Sequence, residues 1–277
     1  MAKVQRFDAV QAGLGASRRR VENEKYVFTQ FRAPIFIAGA DHGALDAIDT
    51  SINTISCGAE TFQWRLEQPN ATVPVNSLDG LYILNDAGDN DGWELTLGRA
   101  NAAGAVENTI EKGAFTIGTD PAFFLRVKLD VVDVSDTDNL VVGFSAGNYV
   151  ADGNIDTETD AAVFNIDNGS IKIDTVLNNG ATGSTDTTDA FADNGQHTFE
   201  VRVSGTGVAT FYLDGAQPTT IPTAFQFDTG DVVHAYVGEL NSTTDDPEVS
   251  IMEWESGYLS TRGLANATDL VELSQSS

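Results

Sequence analysis

The stretch DNGQHTFEVRVSGTGVATFYLDG, residues 193–215, decides the fold class of this chain. Its apolar residues Phe199, Val201 and Val203 alternate with charged ones, as one face of a half-buried β-strand requires. A second apolar run, residues 208–213, follows a glycine-rich turn and ends at an Asp-Gly pair. Two such runs joined by a short turn predict an antiparallel β-hairpin.

The same period of two continues through most of the chain. In residues 123–131, Phe, Leu and Val side chains alternate with Arg126, Lys128 and Asp130. Polar turn clusters rich in Asp, Asn and Gly separate such runs, and no window of ten or more residues shows a helical stripe. About a dozen short strands at this spacing predict an all-β, two-sheet antiparallel sandwich. The other strands are predicted near residues 62–66, 81–84, 93–97, 140–144, 162–166, 171–177, 232–237 and 249–254.

The hairpin resembles the paired strands of concanavalin A-like, laminin G-like sandwiches. In that family a His-Thr-Phe strand, here beginning at His197, turns into a Tyr-x-Asp-Gly strand, here Tyr212 to Gly215. The run from Val249 to Glu255 is similar to the closing strand of the family. The resemblance implies a jelly-roll sandwich.

Charge is divided unevenly along the chain. Acidic residues outnumber basic ones by 41 to 15, and the net charge is -26. Residues 1–32 carry seven basic and three acidic residues, so the remainder has a net charge of -30. This predicts an extended basic N-terminal arm (1–32), a sandwich domain (33–260) and a C-terminal tail (261–277). The acidic body disfavours nucleic acid and anionic membranes as partners.

Other motifs resemble virion structural proteins of tailed bacteriophages. They are Asp79 to Tyr82, Gly92 to Leu95, Asn139 to Phe144 and Asp186 to Ala190. The resemblance implies a capsid decoration, or cement, protein on the capsid surface, made in the host cytoplasm. Its partner would be the major capsid protein, and it would form a symmetric oligomer, such as a trimer.

The arm supplies the candidate capsid-binding residues of this hypothesis. Its basic side chains would speed the encounter with the shell, and its apolar ones would anchor the contact. A protein that binds assembled shells but not free subunits stabilises the shell by mass action. The candidates are Arg6, Phe7, Leu14, Arg18, Arg19, Arg20, Lys25, Tyr26, Phe28 and Phe31.

The alternative function is carbohydrate binding, or host recognition, on the virion. A sugar platform needs exposed aromatic side chains flanked by Asp and Asn. The aromatic candidates are Trp64, Trp93, Tyr149, Tyr236 and Tyr258. Most of them lie in alternating runs, where the core competes for aromatic residues.

Two patterns could indicate an enzyme, and neither is complete. Gly143 to Gly147 matches G-x-S-x-G, with Ser145 central, but a polar turn follows where a nucleophile elbow needs a helix. Glu253 and Glu255 resemble part of a glycosidase Glu-x-Asp-x-x-Glu strand, but the middle Asp and the last Glu are absent. We therefore predict no catalysis, with a polar outer strand face at Glu253 and Glu255 and Trp254 in the core.

No cofactor is predicted, apart from one candidate calcium site. Asp86, Asp89 and Asp91 lie in a glycine-rich loop and could supply the oxygen ligands that Ca²⁺ prefers. The loop lacks the last Glu of an EF-hand, and Asp is also frequent in turns for backbone reasons. The single Cys57 excludes an intrachain disulfide.

Overall fold

The residues that the computed structural model describes form seventeen β-strands. The described residues are 25–31, 35–38, 52–57, 63–67, 73–77, 80–84, 92–97, 113–146, 155–240 and 248–261. No helix within these ranges is long and apolar enough to cross a membrane. The strands are β1 (Val27–Gln30), β2 (Ile35–Ala38), β3 (Ile52–Cys57), β4 (Gln63–Glu67), β5 (Val73–Ser77), β6 (Gly80–Leu84), β7 (Gly92–Thr96), β8 (Ala114–Thr116), β9 (Phe123–Val131), β10 (Leu140–Ser145), β11 (Ala161–Asp167), β12 (Ser170–Val176), β13 (Gly183–Ala190), β14 (Gly195–Val203), β15 (Ala209–Leu213), β16 (Val232–Leu240) and β17 (Glu248–Tyr258).

The strands form two antiparallel sheets. A seven-stranded sheet has the order β15-β14-β9-β17-β6-β5, with β1 also paired to β17. A ten-stranded sheet has the order β13-β12-β11-β10-β16-β7-β4-β3-β2, with β8 also paired to β16. The sheets share one hydrophobic core, to which alternate residues of their strands contribute. The predicted all-β, two-sheet sandwich is confirmed.

Aromatic rings fill much of the space between the sheets. Phe115 stacks on Phe123 with ring centroids 4.3 Å apart, and Phe144 meets Phe123 edge-on at 5.0 Å. Phe164 of the ten-stranded sheet meets Phe199 of the seven-stranded sheet at 5.2 Å. These contacts between sheets fix how the two sheets face each other, since aromatic pairs prefer edge-on and offset geometries.

The predicted hairpin forms from β14 and β15. Phe199 lies opposite Leu213 and Val203 opposite Ala209. The Asp-Gly pair that ends β15 adopts positive φ angles, 51° at Asp214 and 85° at Gly215. Asp tolerates this backbone conformation and Gly adopts it without strain, so this dipeptide reverses the chain directly after β15.

The sandwich begins before the predicted boundary at residue 33. Residues 27–30 form β1, which pairs with β17 and places Thr29 opposite Trp254. Val27 and Phe31 are fully buried, and the Phe31 ring meets Trp64 at 5.1 Å. Residues 25–31 therefore belong to the sandwich rather than to an arm. A four-residue strand beside a basic segment shows too little alternation to be recognised in the sequence.

The polar strand β13 is a second strand that the alternation pattern does not predict. Its sequence, GSTDTTDA, has no apolar face because it lies at the edge of the ten-stranded sheet and is mostly exposed. Thr187 is buried and its hydroxyl donates to the Ile171 carbonyl at 2.6 Å. The Asp189 carboxylate accepts hydrogen bonds from the backbone and hydroxyl of Thr219, at 3.0 and 2.9 Å. Charged side chains on an edge strand also discourage pairing with other chains.

Candidate functional site

The outer face of the seven-stranded sheet carries a dense set of polar side chains. Alternate residues of β9 enter the core, which turns Arg126, Lys128 and Asp130 outward. The neighbouring strands show the same alternation. Their outward-facing residues are Glu200 and Arg202 of β14, Tyr212 of β15, and Glu253 and Glu255 of β17.

One line of outward side chains crosses five strands of this sheet. The backbone register sets side by side, in this order, Phe28, Glu255, Arg126, Glu200 and Tyr212. We call these five residues the cross-sheet row. Because neighbouring strands lie about 4.8 Å apart, its two aromatic ends are about 19 Å apart. The row therefore has an aromatic side chain at each end and three charged groups between them.

Ion pairs and hydrogen bonds hold Arg126 and Glu255 of the row, together with the neighbouring Glu253, in place. Arg126 Nη1 lies 3.4 Å from Glu253 Oε2 and 3.8 Å from Glu255 Oε2. The Tyr26 hydroxyl donates to Glu255 Oε1 at 2.8 Å, and Gln30 Nε2 donates to Glu253 Oε1 at 3.1 Å. Each carboxylate thus has partners on two sides. Such a network on rigid strands presents its polar atoms in a fixed arrangement.

The Tyr212 end of the row is fixed by stacking. Arg202 Nε donates to the Glu200 carboxylate. Its guanidinium carbon lies 4.0 Å from the centroid of the Tyr212 ring. A guanidinium over an aromatic face is attracted by the ring quadrupole. At the other end of the row, Phe28 is 38% exposed, which is high for a large apolar side chain.

A second line of polar side chains runs beside the cross-sheet row. Gln30 lies opposite Glu253, Glu253 opposite Lys128, and Lys128 opposite Thr198. Among the basic side chains that the structure describes, Lys128 is the one that forms no ion pair. Its ammonium group keeps its donors for water or a ligand.

The predicted arm residues fall into two groups. Three of the four described ones make contacts within the sandwich. Lys25 Nζ donates to Asp120 Oδ2 at 3.1 Å, Tyr26 bonds Glu255, and Phe31 is in the core. Only Phe28 of the four has a substantially exposed side chain. Outside the described residues lie Arg6, Phe7, Leu14, Arg18, Arg19 and Arg20.

The aromatic residues proposed for a sugar platform are mostly in the core. Trp64 and Trp93 are fully buried, and Tyr236 is 2% exposed. The Tyr258 hydroxyl donates to Asp120 Oδ1 at 2.5 Å. Tyr149 lies outside the described residues. The core holds Trp64, Trp93 and Tyr236, so these three side chains cannot form an exposed sugar platform.

The G-x-S-x-G motif lies on a strand inside the ten-stranded sheet. Ser145 ends β10 opposite His234, and its hydroxyl donates to Glu158. Ser145 is 3% exposed and Glu158 is 1% exposed, so a substrate has no access to this serine. His197 lies in the other sheet, where its Nδ1 is 2.7 Å from Asp214 Oδ2. The Ser145 hydroxyl is therefore a buried donor to Glu158.

Glu253 and Glu255 lie where the sequence places them. Both carboxylates point outward, and Trp254 between them is fully buried. The outward direction of this pair and the inward direction of the Trp match the predicted polar strand face. The partners of the two carboxylates, above all Arg126, could not be read from the motif.

The predicted calcium loop is not covered by the structure. Asp86, Asp89 and Asp91 lie outside the described residues. Within the described ranges, no group of three or more His, Cys, Asp or Glu side chains could hold a metal ion.

Comparison with known proteins leaves the family open. No protein-family model and no curated protein matches the chain. One similar structure comes from a study of botulinum neurotoxin type C, whose cell entry depends on interaction with two ganglioside molecules. Its sequence is 7% identical to this chain, and the TM-score is 0.45. The match covers 87% of this chain and 49% of the neurotoxin chain. A protein of unknown function from Shewanella oneidensis MR-1 is 15% identical over 86% of this chain and 92% of its own, with a TM-score of 0.44. The Emp46p carbohydrate recognition domain is 9% identical, with a TM-score of 0.44. That match covers 70% of this chain and 88% of the Emp46p domain.

Proposed function

We propose that this chain is a carbohydrate-binding module and that the cross-sheet row is its binding surface. A sugar ring has hydroxyl groups around its edge and apolar C–H groups on its faces. Its recognition therefore needs fixed hydrogen-bonding groups together with aromatic surfaces. The observation that carries the proposal is the register of the row, which places the charged groups of Glu255 and Arg126 between Phe28 and Tyr212. Glu200, also in the row, is buried and holds Arg202 against Tyr212.

The shape and charge of the surface indicate the kind of glycan. An aromatic separation of about 19 Å suits an oligosaccharide of several rings rather than a monosaccharide. The net charge of -26 repels polyanions. We therefore expect a neutral oligosaccharide or polysaccharide, lying across the strands and parallel to the row.

The test is isothermal titration calorimetry with neutral oligosaccharides of increasing length. Affinity should rise with length until the ligand spans the row. Tyr212→Ala and Phe28→Ala should each weaken binding about fivefold to tenfold, since an aromatic stacking contact is worth about 1 kcal/mol. Ile221→Ala is the matched control, because Ile221 is also apolar and 50% exposed but lies outside the row. Equal affinity of the Tyr212 and Ile221 variants would contradict the proposal, as would no binding by any glycan tested.

Binding without catalysis is part of this proposal. Glu253 and Glu255 are both within 4 Å of Arg126 and each has a further hydrogen-bond donor, so they form an internal network. Incubation with any glycan that binds should release no reducing ends. Release that is lost in Glu255→Gln would make the protein a glycoside hydrolase instead.

Capsid decoration remains a separate prediction from the sequence, with the virion surface as its location and the major capsid protein as partner. It rests on the basic residues that precede Lys25 and on the resemblance to phage virion proteins. Its test is the copy number of this chain relative to the major capsid protein in purified virions. A near-integer ratio would support decoration, and a few copies per particle would favour a tail location. Light scattering of the purified protein would test the trimer.

A further inference from the structure

A cavity of about 170 Å³ lies beside β15, the strand at one edge of the seven-stranded sheet. Its walls are residues 208–211 and, across the opening, mainly residues 221–225. Ile221 in the second wall is 50% exposed, so the cavity opens to solvent. The second wall is anchored nearby, since Thr220 N–H donates to the Thr187 carbonyl of β13 at 3.0 Å. A cavity of about 150 Å³ admits benzene, so this one has room for a small organic group.

The cavity lies where a short backbone ladder stops. Ala209 N–H donates to the Phe225 carbonyl at 3.1 Å, as part of an antiparallel bridge. One step further, the same pattern would bond Phe211 N–H to the Thr223 carbonyl. Within the described part of the chain that bond does not form, and the two segments enclose the cavity instead.

Phe211 presents backbone polar groups to this opening. The even-numbered residues 210–214 direct their backbone groups to β14, as Asp214 does when its N–H donates to the Thr198 carbonyl at 2.8 Å. The N–H and carbonyl of Phe211 therefore face the opposite side, towards the cavity. Among the described residues neither group has a hydrogen-bond partner. Since backbone groups away from bulk water are nearly always paired, a polar ligand group or water belongs here.

The opening is too short for a peptide strand. The bond between Ala209 and Phe225 closes one end, and Leu213 N–H closes the other by donating to the Ala216 carbonyl at 2.7 Å. Between these two bonds, Phe211 supplies the one backbone N–H that faces the edge. One amide group therefore fits beside β15, whereas an added strand needs a row of such partners.

The lining favours a neutral amide that carries a methyl group. No charged residue is among those described residues that line the cavity, and Ile221, Pro222 and Phe225 give it an apolar wall. Thr210 also lines it and lies on the same side of β15 as Tyr212, two residues further along. The two positions are about 7 Å apart, so a glycan stacked on Tyr212 brings its next ring to the cavity.

We propose that this cavity binds the acetamido group of an N-acetylated sugar at one end of the cross-sheet row. The acetamido carbonyl accepts a hydrogen bond from Phe211 N–H, its N–H faces residues 222–225, and its methyl group packs on the apolar wall. The inference rests on the proposed carbohydrate binding and narrows the ligand to a neutral glycan with N-acetyl groups.

The test compares two series of β-1,4-linked oligosaccharides by calorimetry, one of N-acetylglucosamine and one of glucose. They differ in the group at C2, so any difference in affinity measures the acetamido group. The N-acetylated series should bind about tenfold to thirtyfold more tightly, because it adds a hydrogen bond and buries a methyl group. Ala224→Leu fills the cavity and should remove this preference. Ala216→Leu is the matched control: Ala216 is exposed in the same segment but does not line the cavity, and its variant should keep the preference.

A second measurement observes the Phe211 amide directly by NMR. N-Acetylglucosamine at millimolar concentration should move the Phe211 amide proton downfield, as a new hydrogen bond does, and glucose should not. Because Ile221 lies in the cavity wall, Ile221→Ala serves as the control for the row with the glucose series. With the N-acetylated series that control is Val232→Ala, since Val232 is 44% exposed and lies on the other sheet.

The outcomes separate this inference from the proposed function. Equal affinity for the two series, with Tyr212→Ala weakening both, would overturn the acetamido site and leave the row intact. A Phe211 amide that N-acetylglucosamine does not move would assign the N–H to water and also reject the site. Tighter binding of an N-acetylated tripeptide than of the N-acetylated sugars would make a peptide the ligand. A preference that is lost in Ala224→Leu while Tyr212→Ala has no effect would support the cavity and reject the row.

Discussion

Glu239 should make the stability of this protein fall as pH rises, and Glu239→Gln should remove that dependence. Glu239 lies on β16 between Leu140 and Trp93 and is fully buried. One carboxyl oxygen lies 3.5 Å from the Asp138 backbone nitrogen, and Oε2 has no hydrogen-bond partner. Burial, and to a smaller extent the Asp138 charge, raise the pKa of Glu239 from 4.5 to about 8, against the opposing Asp138 hydrogen bond.

The sign and size of the effect follow from proton linkage. Between pH 4.5 and pH 8 the native state holds the Glu239 proton and the unfolded state does not, so unfolding releases a proton. The stabilisation is complete below pH 4.5 and is lost as pH rises through 8. In this window the unfolding constant should rise about tenfold per pH unit. Over the whole window the loss amounts to about 5 kcal/mol.

The assay is urea unfolding at several pH values from 5 to 9, with the free energy of unfolding extrapolated to water. Glu239→Gln carries no ionisable group there, so the ratio of the wild-type unfolding constant to that of the variant should grow about 400-fold between pH 5 and pH 8. Glu248→Gln removes a partly exposed carboxylate and should follow the wild-type curve, which controls for net charge. Parallel curves for wild type and Glu239→Gln would refute the reasoning.

Two further substitutions test the packing of the sandwich. Gly143→Ala would place a Cβ 2.3 Å from the Ala162 carbonyl oxygen, so it should lower the free energy of unfolding by about 2 to 4 kcal/mol. At Gly205, the control, the nearest atom to an added Cβ is 3.5 Å away, so Gly205→Ala should change this free energy by less than about 0.5 kcal/mol. Similar urea midpoints for the two variants would contradict the close approach of β10 and β11. Burial opposes ionisation of Asp120, but its hydrogen bonds, led by that from Tyr258, lower its pKa below 3.8. Asp120→Asn should therefore lower the free energy of unfolding by about 2 kcal/mol at pH 7. This difference between variant and wild type should shrink as pH falls below 3.8, because protonation removes the same charge from the wild type. An equal difference at pH 7 and below pH 3.8, measured by urea unfolding, would contradict this prediction.

Much of the fold could be predicted because strand alternation is local. The runs around Phe123, Phe164 and Phe199 each show which side chains enter the core, and all three do so. The turn that follows the hairpin was also predictable, since Asp214 and Gly215 favour the positive φ angles that it requires. The strands that were missed, such as β1 and β13, are short or polar on both faces.

The candidate site was only partly predictable. The alternation on β9 marks Arg126, Lys128 and Asp130 as outward, but it does not show what lies beside them. The sequence assigns Phe28 to the extended basic arm, whereas its place in the row depends on the pairing of β1 with β17. The exposed aromatic residues expected from the sequence included Trp64 and Trp93, which the core holds instead.

The sequence by itself determined the all-β class, the approximate strands and the inward side of each one. These properties depend on residues two positions apart, and burial of apolar surface enforces them within each strand. Only the tertiary structure decided which strands are neighbours and in what register. Tyr26 and Glu255, 229 positions apart, meet because β1 pairs with the last strand. Such pairings depend on how both sheets pack against a common core, and no local pattern in the chain encodes that choice.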